Sequence, residues 1–212
     1  MKLLSLFFIF LLLCMKPILA QEDVDSWPTV LHGQLKALEK AQLEQWPAHA
    51  DTLLMLGREH PGEWLLQYYA GWAYTQLSFR AKGEKKEAYC ELAAPFVKRA
   101  LELQPENTES LTLMSYWLSA RINADHSRGA ALGMESRHYA DRAISADPSN
   151  PRASLMKALN IYYTPAIFGG GKKRARAAVV ETGEKFARFT PVNELAPNWG
   201  KNIYEHLNAS YQ

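Results

Sequence analysis

From Val30 onward, apolar residues recur at intervals of three and four, and β-branched runs are almost absent. That spacing puts the apolar side chains on one face of a helix, so the pattern predicts helices throughout and no sheet. The helices come in pairs. EWLLQYYAGWAYTQL (Glu63–Leu77) is apolar on nearly every side, as suits a helix packed between neighbours. The turn RAKGEKK and a second helix, EAYCELAAPFVKRALELQP, follow it, with Pro95 placed to bend the second helix. TESLTLMSYWLSARI and MESRHYADRAISADP repeat the plan, as do PRASLMKALNIYY and KKRARAAVVETGEKFARF. Upstream, TVLHGQLKALEKAQLEQ and PAHADTLLMLGREH suit a more divergent hairpin, and APNWGKNIYEHLNASY suits a terminal capping helix with Lys201 and His206 outward.

The prolines show that these pairs are repeats. Pro61, Pro105, Pro148 and Pro191 are spaced 44, 43 and 43 residues apart. A period of that size in an all-helical chain indicates stacked hairpins whose cores are continuous from one unit to the next. The expected architecture is therefore all-α, a right-handed α-solenoid. A divergent hairpin occupies residues 21–61, three lengthened hairpins occupy 62–191, and a cap occupies 192–212.

The helix ends carry a family resemblance. Gly71 and Tyr74 stand three apart in a first helix, and Ala93, Val97, Ala100 and Pro105 close a second. ALELQPENTES and AISADPSNPRA repeat that ending, and TPAIFGGGKKRARA places an FGG element between two helices. In these features the chain resembles the tetratricopeptide-repeat family, and in the last resembles its exported bacterial members. That family's usual unit is 34 residues, and the spacing assigns the extra residues to the turns within each hairpin. The resemblance implies that the first helix of each hairpin lines a concave, partner-binding groove. The positions it assigns are Tyr68, Trp72 and Gln76, then Glu109, Thr112, Tyr116 and Ser119, then Arg152, Leu155, Leu159 and Tyr163. Aromatic rings and one arginine suit an extended peptide or another protein's helix.

The first twenty residues bear on compartment. Lys2, an apolar run from Leu3 to Met15 and a small residue at Ala20 make a cleavable export signal. Lipid attachment at Cys14 is disfavoured by the bulky Leu13 before it. Export points to the periplasm, and cleavage leaves Cys90 as the lone cysteine, which reads as apolar filler. Without Lys2 and Lys16 the chain carries as many acidic as basic residues, which argues against nucleic acid.

Charge is nevertheless uneven. Arg80–Glu87 holds four cations against two acids, Arg121–Arg137 three against two, and Gly170–Arg176 four against none. Hairpin turns fall on one edge of a solenoid, so this edge should be basic, with Lys172, Lys173, Arg174 and Arg176 its strongest part. Helix dipoles disfavour cations at a helix N-terminus, so these four ask for an anion. No HExxH, CxxC pair, GxSxG or GxxxxGK[ST] occurs, and no two histidines stand three or four apart. GGGKKR follows no strand and lacks the hydroxyl that would hold magnesium. Asp125 and His126 read as a surface turn. These residues imply no enzyme, metal or cofactor. They imply an adaptor for a protein or peptide of the bacterial cell envelope, or alternatively a module for a small ligand or an anionic lipid surface.

Overall fold

A computed structural model describes residues 26–212; the expected export signal, Cys14 and the other residues up to 25 lie outside it. The described residues form nine α-helices: α1 (Trp27–Lys40), α2 (Trp46–Glu59), α3 (Trp64–Arg80), α4 (Lys85–Leu103), α5 (Thr108–Ala124), α6 (Gly129–Ala146), α7 (Pro151–Tyr163), α8 (Lys172–Arg188) and α9 (Lys201–Ala209). No strand occurs among them. Consecutive helices pair as antiparallel hairpins. α3, α5 and α7 pack side by side as an inner layer, while α4 and α6 each pack on their own partner and on the next inner helix.

Local chemistry explains where the helices begin. Asn107 accepts hydrogen bonds from the Glu109 and Ser110 amides, and Asn150 does the same for Arg152 and Ala153. Each cap satisfies two of the amides that have no partner within their own helix. Proline stands in the first turn of α1, α2 and α7, where its missing N–H costs nothing.

The inner helices are buried all round. Every residue of α3 from Leu66 to Ser78 is buried, and every residue of α5 from Glu109 to Leu118. Close approach between layers depends on small residues. Ala93, Ala100, Ala140, Ala143 and Ala175 are fully buried, and a Cβ on Gly71 would stand 2.8 Å from Val97 Cγ2. Such contacts leave no room for one more methyl group.

Two expectations are corrected. In the first two repeats the extra residues lie in the helices, not in the turns: α3 has 17 residues, α4 19, α5 17 and α6 18, and only residues 81–84 and 125–128 separate them; in the third, residues 164–171 separate a 13-residue α7 from α8, as expected. α6 starts five residues before the expected Met134, because GAALG is as acceptable to a helix as to a turn once Ser136 and Ala140 are buried. The cap is also shorter than expected. α9 begins only at Lys201, and residues 189–200 have no helical or strand structure.

Candidate ligand-binding surfaces

The irregular stretch 189–200 decides what the inner groove looks like. It crosses the α3–α5 face and inserts Trp199. The Trp199 ring stacks on Tyr116 with centroids 5.0 Å apart, and its Nε1 donates to Tyr68 Oη at 2.7 Å. Phe79 stacks on the same Tyr116, 4.9 Å away, so three rings form a column. Tyr69 Oη donates to Leu195 O at 2.9 Å and holds the strap further along. Gly200 ends the strap at φ +101°, a left-handed conformation that favours glycine, and a Cβ there would stand 3.2 Å from both Leu155 and Phe186.

Beneath the strap lies a buried ion pair. Arg152, 2 % exposed, donates through Nε and Nη2 to the Glu109 carboxylate at 2.6–3.0 Å. Tyr68 Oη donates to Glu109 Oε2 at 3.0 Å, and Asn150 Nδ2 to Oε1 at 2.6 Å. Burial works against the Arg152 cation, but the Glu109 charge and hydrogen bonds hold its pKa above the usual range. Burial, with the Glu109 charge beside it, pushes the Tyr68 phenol well up. The Arg152 guanidinium lies 4.4 Å from the ring centre of Phe189, the strap's first residue. Three side chains donate to the Glu109 carboxylate, which makes its burial tolerable, while Arg152 Nη1 is buried with no partner among the described residues.

The groove residues expected from the sequence therefore do converge, but largely under cover. Tyr68, Trp72, Gln76, Glu109, Thr112, Tyr116, Arg152 and Leu155 are buried; Ser119 and Leu159 are half-buried, and Tyr163 is exposed. Thr112 turns inward and donates to Thr108 O in its own helix. The strap fills the groove at Tyr68, Tyr69 and Tyr116. Trp199 was not singled out in the sequence, since a lone tryptophan in an irregular segment carries no periodic signal.

The turn edge is different. Its first two turns use part of their charge internally. Arg128 meets Glu87 at 2.8 Å and Asp125 at 3.4 Å, and Lys86 Nζ donates to Asn123 O at 3.3 Å. Asp125 caps its own turn. The Ser127 hydroxyl and amide donate to it and hold its carboxyl below the usual range. Lys172, Lys173, Arg174 and Arg176 behave otherwise: none has a carboxylate within 4 Å among the described residues. Lys172 donates to Ser210 O and lies 5.2 Å from the Tyr211 ring centre, with Arg176 5.8 Å from the same ring. Arg174 donates to Ala166 O at 3.2 Å.

Beside these cations the chain exposes apolar side chains. Tyr163 is 74 % exposed, Ile167 85 %, Phe168 71 % and, on α6, Met134 73 %. Arg137, one turn beyond Met134, donates to Thr164 Oγ1 at 3.3 Å and so brings α6 to this loop. Phe168 does not plug the hairpin but faces solvent. The space inside the turn is taken by Gly170, whose Cβ would stand 2.2 Å from Thr164 O, while Gly171 N donates to Ile161 O at 2.8 Å. Gly169 and Gly171 take φ of +87° and +101° to make the reversal.

Among the described residues no three His, Cys, Asp or Glu side chains are grouped to hold a metal ion, and no helix is long and apolar enough to cross a membrane. Cys90 is buried, and burial pushes its thiol pKa up, away from nucleophilic use.

No protein-family model matches the chain, and no curated protein does. Among solved structures one similarity bears on function. The chain is similar to a haemophore. This is the HusA haemophore from Porphyromonas gingivalis, at a TM-score of 0.77 and 26 % sequence identity, over 90 % of this chain and 96 % of that one. The likeness spans the stacked hairpins as a whole.

Proposed function

We propose that this chain is an exported, non-catalytic binding protein for a flat, amphiphilic anion of the haem class, held at the open edge between Tyr163 and Arg176. The observation that carries the reading is the exposed apolar loop beside four cations that have no carboxylate partner. Haem offers a broad apolar face and two carboxylates, which match an apolar surface flanked by Lys172, Lys173, Arg174 and Arg176. The likeness to a haemophore supports the ligand class. The same reading treats the hairpins as lengthened tetratricopeptide units, supported by Gly71 against Val97 and by buried Ala93 and Ala100. A peptide lying in the inner groove has less support, because Trp199 occupies that space.

Haemin titration followed by visible absorbance tests the proposal. Tyr163→Ala/Ile167→Ala/Phe168→Ala changes only exposed side chains and should weaken binding at least about tenfold, roughly 1.4 kcal/mol. Lys173→Gln/Arg174→Gln should weaken it about three- to tenfold at low salt and less at high salt, where exposed charges are screened. Wild-type affinity in the triple variant would refute the site. Capture of anionic vesicles without any haemin binding would turn the reading toward a membrane-facing edge.

A further inference from the structure

Trp72, Gln76 and Arg80 follow one another along α3 at intervals of four residues and so share one stripe of the helix. Each of them keeps an N–H donor in reserve. Trp72 is more than nine-tenths buried, at 8 % exposed, yet its Nε1 has no acceptor among the described residues. Gln76 gives its backbone O and its Oε1 to Arg80 Nη1, which leaves the Gln76 amide Nε2 without an acceptor. Arg80 commits only Nη1, so Nε and Nη2 remain free among the described residues, and no carboxylate lies within 4 Å of the guanidinium.

The surroundings of the stripe are aromatic. The Arg80 guanidinium lies 4.2 Å from the ring centre of Trp46, and Trp46 lies 5.8 Å from Trp72, so one ring borders both ends. Tyr116 faces this stripe from α5, close enough that its phenol and the Arg80 charge act on each other. Its ring is buried, while its hydroxyl makes no hydrogen bond to the described residues and is not sealed from solvent. Burial without a counter-charge lowers the Arg80 pKa, so the cation is held at a cost that no acidic residue relieves.

Trp72 Nε1 is thus a sealed donor without an acceptor, and the remaining Gln76, Arg80 and Tyr116 donors beside it reach solvent and meet no protein acceptor among the described residues. An unpaired guanidinium has two parallel donors, and a carboxylate matches them with two coplanar oxygens. The flanking Trp46 and Trp72 rings favour a carboxylate carried on a flat apolar ring over a small hydrated anion. We infer that Trp72, Gln76, Arg80 and Tyr116, bordered by Trp46, form a binding site for the carboxylate of an aromatic acid. The site is separate from the Tyr163–Arg176 edge and does not depend on the haem reading.

The test uses 2-naphthoate and its neutral isostere 2-naphthamide as probes, titrated into the purified protein by calorimetry. Naphthoate is expected to bind saturably and naphthamide at least about tenfold more weakly, the discrimination one charge-assisted pair supplies. Arg80→Gln should lower naphthoate affinity at least about tenfold, and Trp72→Phe, which keeps the ring and deletes the N–H, about threefold. Arg80→Lys retains the charge without the fork and should fall between; it serves if the glutamine variant melts early. Lys173→Gln/Arg174→Gln should leave naphthoate binding unchanged, and Arg80→Gln should leave haemin binding at the edge unchanged. Equal affinity for acid and amide, undiminished affinity in both Arg80 variants, or no saturable naphthoate binding at millimolar concentration would each overturn the inference. Loss of naphthoate binding in the Lys173/Arg174 variant would do so as well, by moving the probe to the edge.

Discussion

Trp199→Ala removes the ring that fills the inner groove, and its cost can be worked from the contacts. Trp199 is 8 % exposed. A buried tryptophan removes on the order of 200 Å² from water, worth about 5 kcal/mol at 25 cal/mol/Å², an upper bound because denatured chains already bury part of it. The stack on Tyr116 adds about 1 kcal/mol, and the hydrogen bond to Tyr68 about 1 kcal/mol. Part of this returns as the strap relaxes into the vacated space, so the expected loss is about 3–5 kcal/mol, the range of other large-to-alanine changes. Urea unfolding at 25 °C followed by far-UV circular dichroism measures it, with Trp199→Phe as the control. The phenylalanine variant keeps a stacked ring and loses the indole hydrogen bond, so it should cost about 1–2 kcal/mol. Tyr68 still donates to Glu109 in that variant and is not orphaned. A loss below about 1 kcal/mol for Trp199→Ala, with an unchanged dependence on urea, would show that the strap is not seated in the groove, and the reasoning would fail.

Glu109→Gln leaves Arg152 buried without its counter-charge and should destabilise by about 3–5 kcal/mol in the same assay; a loss under about 1 kcal/mol would mean that water reaches the pair. The buried phenols set an alkaline limit. Burial, with Glu109 adding to it, raises the folded pKa of Tyr68, and burial raises that of Tyr116. Their unfolded value is near 10, so the stability they confer is complete below about pH 10 and is lost as pH rises beyond it. Thermal melts between pH 8 and 11 should show a fall in Tm that begins near pH 10 and is shallower in Tyr116→Phe; the same slope in that variant would refute the assignment.

Much of the fold was readable before any coordinates. The proline period located the hairpins, and the start of α7 at Pro151 and of α8 at Lys172 fell where the sequence placed them, because caps and prolines act within a few residues. The turn boundaries were less readable. AKGE and GAALG carry no strong stop signal, so burial of Ser136 and Ala140 against neighbours, not local propensity, set where α6 begins. The open edge was half readable. Counting charges found the cations at 172–176, but only geometry separated them from Arg128 and Lys86, which neighbouring turns neutralise or engage.

The sequence by itself determined that the chain is all helical, that its helices pair, and that the pairs repeat about every 43 residues. Those are consequences of periodicity and of proline, glycine and asparagine chemistry, which act locally along the chain. Only the tertiary structure decided that Trp199 closes the groove over Tyr68 and Tyr116. The contact between Trp199 and Tyr68 joins residues 131 positions apart, across a segment with no repeating pattern. Nothing local to either residue encodes that pairing; it follows from where the α8 helix ends and from the one face of α3 and α5 that the hairpins leave uncovered.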